Sequence, residues 1–152
     1  MQENRIIELK KQGTLELLVL SILTLGIYSA HYIKEQTPKI DALSHNKLNI
    51  GNAYVELLLY LSYISLGTFI FSLVSPENMM LNLVDSLLSF LVSLLSLIWG
   101  FKARNRVNAA FDFHKGSDNW IHGMWTLIFS QFYFNYKVNS IIESYESNQA
   151  IK

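Results

Sequence analysis

Between Leu81 and Gly100, the residues Asn82, Ser86, Ser89, Ser93, Ser96 and Gly100 recur in alternating steps of four and three, and Leu, Val, Phe, Ile and Trp fill most of the remaining positions. On a helix this is one small or polar seam running along an otherwise apolar rod. Water rewards the opposite arrangement, a narrow apolar stripe on a polar rod. The inversion therefore predicts a helix surrounded by lipid, with the seam turned toward protein.

The distribution of charge extends the argument to the whole chain. Leu17 to Ile33, Leu57 to Ser75, Ser86 to Phe101 and Asn119 to Tyr136 contain no Lys, Arg, Asp or Glu, and each runs for about 16 to 19 residues. A hydrocarbon core about 30 Å thick takes roughly 20 residues to cross as a helix. Half of the 152 residues are hydrophobic and only 16% are charged, too apolar for an ordinary soluble domain of this length. We expect an all-α membrane protein in a single domain, 1–152, with a central transmembrane helical hairpin flanked by two further membrane-embedded, aromatic-rich helices. The membrane segments are read as 14–35, 52–75, 79–101 and 119–142, preceded by an amphipathic segment over 1–12 and followed by a polar, frayed tail over 143–152. A tight turn at Ser75, Pro76, Glu77 and Asn78 closes the hairpin. The polar stretch from Lys34 to Gly51 makes the first water-exposed connection, and Lys102 to Arg106 end the second arm. Cysteine is absent, which excludes disulfides and thiolate metal sites. Acids among the bases of the first twelve residues, with no small-residue cleavage site after them, argue against a removed signal peptide.

Lys and Arg set the orientation. The turn at Pro76 has none, whereas both flanks of the hairpin are basic, so the turn faces outward and the flanks face the cytoplasm. Lys102, Arg104 and Arg106 form the topology anchor. The outer segments leave two arrangements open, because the N-terminus is basic as well and a spanning first segment would carry it outside. They either cross, or they kink around Gly26 and Gln131 and return. Re-entrant backbone needs protein to bury against, which the hairpin supplies. The two outer segments also resemble each other, Gly26-Ile27-Tyr28 with Tyr32 against Gln131-Phe132-Tyr133 with Tyr136, a form of internal symmetry that recurs in membrane proteins.

Thr24-Leu25-Gly26-Ile27-Tyr28, followed by Tyr32 and Lys34, resembles the signature of an uncharacterised family of small bacterial integral membrane proteins known only as a domain of unknown function. The stretch Lys102 to Asn108, and Tyr133 with Tyr136-Lys137-Val138-Asn139 and Ile141, are similar to further motifs of that family. The chain has Tyr32 where the family more often shows Trp. The resemblance extends from Gly13 to Ile142 and implies a multi-pass protein of the bacterial inner membrane. It implies no activity.

Asp85 lies about two turns inside the second arm beside the seam, where an ionisable group is costly enough to suggest a proton or cation site, or else a capping contact in the packed hairpin. Glu56, at the opposite end of the first arm, is expected to pair with Lys102 or Arg104. Seam spacings such as Ser89 to Ser93 let helices approach closely, within the hairpin or between copies. His114, Asp118 and His122 are spaced by fours, but Gly116 interrupts them and no third strong ligand is evident, so no metal is assigned. There is no phosphate-cradling glycine loop, nucleophile elbow or zinc-protease helix, and no cofactor is implied. The sequence thus points to a non-enzymatic membrane protein acting by helix association with itself or a partner membrane protein, within the lipid bilayer and without nucleic acid. The alternative is a small transporter or channel subunit using Asp85 and the serine track.

Overall fold

A computed structural model describes residues 6–9, 12–43 and 49–150. Among these the chain is all-helical, with α1 over Thr14–Leu23, α2 over Ile27–Leu43, α3 over Asn52–Val74, α4 over Met79–Ala110 and α5 over Gly123–Ala150. The helices α3 and α4 form the central antiparallel hairpin, and α2 and α5 pack on its lower half with α1 bridging them.

The turn between α3 and α4 follows from its residues. Pro76 interrupts the helical pattern, and the side chain of Asn78 accepts a hydrogen bond from the N–H of Leu81 at 3.1 Å, satisfying one of the orphan donors at the start of α4. Asn82 then donates from Nδ2 to the carbonyl of Pro76 at 2.9 Å. Beyond the turn the two arms are joined by three polar rungs, Ser72 with Asn82, Thr68 with Asp85 and Ser65 with Ser89. Each rung closes donors and acceptors against one another. Large apolar side chains point outward: Phe71, Val74, Met79, Leu83 and Leu87 are all exposed.

Both arms are long and apolar enough to cross a membrane. The core helix of a water-soluble protein passes the same test of length and composition, but it is buried. In the most apolar stretch of α3 only 11% of residues are buried, and in that of α4 none are. The apolar surface of the hairpin is thus turned away from the rest of the chain.

The opposite end of the molecule is a packed base. Trp99, Tyr32 and Phe134 meet edge to face at its centre, with ring centroids 6.3 Å apart for Tyr32 and Trp99 and 5.4 Å for Trp99 and Phe134. Ile33, Ile40, Val107 and Ile141 surround them. Polar latches hold the elements together. The indole N–H of Trp99 donates to Oγ1 of Thr37 at 2.9 Å, and Tyr32 donates to Oδ1 of Asn135 at 3.1 Å. Asp41 accepts from the backbone N–H groups of Ile50 and Gly51 and sits 3.5 Å from Nε of Arg106, tying α2 to the foot of α3 and to α4.

Several boundaries differ from the expectations. The polar stretch after Lys34 is helical as far as Leu43, because Ile33, Gln36, Thr37, Ile40 and Leu43 share one helical face and bury it, leaving Lys34, Glu35 and Pro38 outside. The second arm does not stop at Lys102: α4 continues to Ala110, since Ala103 and Val107 extend the buried face of Trp99. The tail is helical through Ala150, with Ile141 and Ile142 packed in the core and Tyr145 against it. Of the N-terminal amphipathic segment, Ile6 and Leu9 are buried in the protein itself, and residues 1–5, 10 and 11 lie outside the described residues.

Thr37→Val is nearly isosteric but leaves the buried N–H of Trp99 with no acceptor, so it should cost about 1–3 kcal/mol. Thermal unfolding of the purified chain checks this: the midpoint should fall, and an unchanged midpoint would show that the Trp99–Thr37 bond adds no net stability.

Candidate functional site

Two helix breaks converge on one place. The first lies between α1 and α2. Leu25 adopts a left-handed conformation (φ 50°) and Gly26 follows at φ 92°. The N–H of Leu25 reaches the carbonyl of Ile22 at 3.1 Å and that of Gly26 reaches Ser21 at 2.7 Å, the paired bonds of a Schellman ending. Thr24 Oγ1 then accepts from the N–H of Tyr28 at 2.9 Å, so the next helix starts with one of its orphan donors satisfied. Glycine is what allows the chain to turn so sharply into α2.

The second break falls inside α5 at Ser130, whose φ of 42° and ψ of −118° are not helical. Ser130 is held there by α4. Its hydroxyl donates to the carbonyl of Ser96 at 2.8 Å, and its backbone lies against Gly100. A Cβ added at Gly100 would stand 2.8 Å from Ser130 Oγ and 3.3 Å from both Ser130 Cα and Thr126 Cγ2. A side chain at the last residue of the seam would thus collide first with the Ser130 hydroxyl and press on the Ser130 backbone and the Thr126 methyl.

Between these breaks and the hairpin is a cavity of about 710 Å³. Its polar lining comes from four helices: Ser29 at the head of α2, Ser62 and Ser65 on α3, Ser89, Ser93 and Ser96 on α4, and Ser130 and Gln131 at the break in α5, with Gly26 beside them. Leu18, Phe90, Leu94 and Phe132 are among the apolar residues that complete it. Among the described residues, no Lys, Arg, His, Asp or Glu lines it. Gln131 is 7% exposed, and its Oε1 has no hydrogen-bond partner among the described residues. Ser62 lies midway along α3, roughly 15 Å from Asn52 and roughly 18 Å from Val74 at 1.5 Å per residue.

The seam thus divides into two parts. Asn82 and Ser89 zip the hairpin, Ser86 returns its hydroxyl to the carbonyl of Asn82, and Ser93, Ser96 and Gly100 face the cavity or the break in α5. Asp85 accepts from Thr68 Oγ1 at 3.0 Å and does not line the cavity. The expected pairing of Glu56 with Lys102 or Arg104 is not formed. Glu56 is exposed, the ammonium of Lys102 sits 4.6 Å from the ring centre of Tyr54, and Arg104 donates from Nε to the carbonyl of Ile121 at 2.7 Å while stacking over Trp120. Arg106 faces Asp41. His114, Asp118 and His122 fall in the connection between α4 and α5 and share no helical face, because that segment turns at Gly116 instead of coiling.

Kinks around Gly26 and Gln131 are expected from the sequence, whereas Ser29, Ser62 and Ser130 are not among its expected site residues. A signal for Ser62 was present: the rhythm of Ser75, Ser72, Thr68 and Ser65 on the first arm continues one step further back to it. Ser130 has no such signature, since its role depends on the approach of a distant glycine.

Gly100→Ala should destabilise the chain by about 1–3 kcal/mol, as added volume does in a closed contact. Adding Ser130→Gly, which removes the nearest obstructing atom and tolerates the backbone angles, should restore part of the loss. Unfolding midpoints of the single and double variants check this, and additive losses would contradict the contact.

No curated protein and no solved structure matches this chain. A family match covers residues 12–109, about two thirds of the sequence. It includes the break at Gly26 and the whole hairpin, and it stops short of the closing segment from Tyr133 to Ile141 to which the resemblance had been extended. The chain belongs to the family described as Domain of unknown function (DUF4234).

Proposed function

We propose that this chain is an integral membrane protein whose α3–α4 hairpin crosses the bilayer twice, while α1–α2 and α5 enter from the basic side and turn back at Gly26 and Ser130. The serine-lined cavity is then a polar site near the middle of the membrane, the working part of a small, non-enzymatic transporter or channel subunit. The observation that carries this reading is the convergence of two helix breaks on one uncharged polar cavity halfway along the hairpin. Non-helical backbone is tolerated at membrane depth only where it is buried in protein or lines a water-filled cavity, and discontinuous helices at mid-membrane are where small transporters bind their substrates.

Charge supports the same disposition. All twelve Lys and Arg fall outside residues 49–101. With two crossings and two returning segments, every one of them lies on a single side, which the positive-inside rule makes cytoplasmic. Four crossings would divide them. The exposed apolar residues follow suit, for besides the hairpin they cluster on α1 (Leu15, Ile22, Leu23) and on the first half of α5 (Met124, Leu127, Ile128), the two elements that would enter lipid. In a bacterial cell this is a multi-pass protein of the cytoplasmic membrane. Among the described residues the lining has no titratable side chain to act as acid, base or activated nucleophile, which favours a site that binds over one that reacts.

Association with a second copy or a partner membrane protein is the second reading. Ser86 and Ser93, seven residues apart and both exposed on α4, favour it.

The chain has no native cysteine, so one variant compares the two readings. In proteoliposomes, Ser93→Cys should react with a neutral, water-soluble maleimide much faster than Leu87→Cys, which faces outward from the hairpin. Equal, slow rates would overturn the cavity as a water-reachable site. Under the association reading, Ser93→Cys instead cross-links to its counterpart on oxidation and the maleimide does not reach it.

A further inference from the structure

We propose that a second cleft, between α1 and α5, holds one acyl chain of an anionic phospholipid, with Lys137 at its mouth taking the phosphate. This surface is separate from the serine-lined cavity, and the inference rests on the proposed entry of α1 and α5 into lipid.

The cleft encloses about 560 Å³, within the range of pockets that take a multi-atom ligand, and its two ends differ in chemistry. Thr14, His122 and Lys137 stand at one end. Thr14 Oγ1 accepts from Nδ2 of Asn135 at 3.0 Å, the backbone N–H of His122 donates to the Tyr133 hydroxyl at 3.2 Å, and the Lys137 ammonium donates to the carbonyl of Asp118. These bonds gather the start of α1, the connection before α5 and the second half of α5 at one level. At the other end are Leu18, one turn further along α1, and Phe129 and Phe132, which flank the break at Ser130. Trp125 and Phe129 stack, with ring centroids 6.0 Å apart and planes 18° from parallel, into a flat wall along the cleft, and each ring is 48% exposed. A polar mouth above an apolar trough matches an amphiphile.

Charge decides which amphiphile. Among the described residues Lys137 lines the cleft and no carboxylate does. An ammonium has three donors, and the bond to Asp118 spends one of them on a neutral carbonyl. No carboxylate among the described residues forms an ion pair with Lys137. A phosphate at the mouth therefore meets a counter-charge with donors to spare. Tyr133 and Tyr136 beside it are of the residue type that sits at headgroup level. A chain that leaves the bilayer for the cleft exchanges one apolar environment for another, so the trough admits lipid without selecting it. Selection falls to the headgroup, where one lysine near the surface favours anionic lipid about fivefold.

The test uses the full chain in phosphatidylcholine vesicles with a trace of phosphatidylglycerol or phosphatidylcholine carrying a photoreactive diazirine in its acyl chain. Labelled residues are mapped by peptide mass spectrometry. The phosphatidylglycerol probe should label Leu18, Phe129 and Phe132 about fivefold more than the phosphatidylcholine probe does. Both should label Ile22, Leu87 and Met124 alike, which are exposed and lie outside the cleft. Lys137→Gln should bring the two probes level in the cleft, and Lys137→Arg should keep the preference. Equal labelling of the cleft in the unaltered chain, or a preference that survives Lys137→Gln, would overturn the inference and leave the proposed function standing. A cleft that neither probe labels, beside labelled Ile22 and Met124, would overturn it in favour of a second copy or a partner covering that face. Absence of label from Ile22 and Met124 while Leu87 is labelled would take α1 and α5 out of lipid and remove the proposed function as well. If Lys137→Gln fails to fold, replacing the vesicle lipid with unlabelled phosphatidylglycerol still decides: labelling of the cleft by the phosphatidylglycerol probe should fall about fivefold, and an unchanged level would overturn the inference.

Discussion

The contact on which the rest of the structure depends is the approach of Ser130 to Gly100. A missing side chain on α4 lets the backbone of α5 come close enough for the Ser130 hydroxyl to reach the carbonyl of Ser96. That bond pins a backbone conformation that serine rarely adopts and breaks α5 at a defined height. The cavity follows from it. Were α5 straight, Gln131 would continue the helix, and the space between it, the hairpin and the turn at Gly26 would have a different shape.

The molecule divides into two regions that obey opposite solvation rules. At the base, α2, the foot of α4 and the second half of α5 bury aromatic and aliphatic side chains and latch them with Asp41, Asn108 and Asn135, as a water-soluble core does. In the outer half of the hairpin three polar rungs join the two arms, and large apolar side chains are exposed on the surface around them. A single solvent cannot reward both patterns. The disposition we propose, a bilayer around the hairpin and water at the base, would satisfy each, and the distribution of Lys and Arg matches that division.

Much of this was legible in the sequence, and the parts that were not share a cause. The hairpin, its turn and the inward seam could be read because periodicity and charge are local properties: the positions from Asn82 to Gly100 mark a helix face wherever that face ends up. The kinks at Gly26 and Gln131 could be suspected from glycine, from aromatic repetition and from the excess of basic ends. The helical extension through Leu43 was hidden because Lys34, Glu35 and Pro38 make the stretch look like a loop, while the buried face beneath them is visible only once a partner for it is known. The pairing of Glu56 failed for the complementary reason. Counting residues from the turn gives its height along the hairpin, but not that Tyr54 and the carbonyl of Ile121 engage Lys102 and Arg104. The cavity lies furthest from any local signal, since its polar lining comes from four helices.

The central claim is that the chain crosses the membrane twice and dips into it twice from one side. Single-cysteine labelling in oriented membranes tests this most directly, with an impermeant thiol reagent applied to one face at a time and cysteines introduced singly at Glu8, Glu77, Lys115 and Ser147. The account predicts that Glu8→Cys, Lys115→Cys and Ser147→Cys all react from the same face and Glu77→Cys only from the other. Reaction of Glu8→Cys or Ser147→Cys from the face that labels Glu77→Cys would mean that an outer segment crosses, and the two-dip arrangement would be wrong.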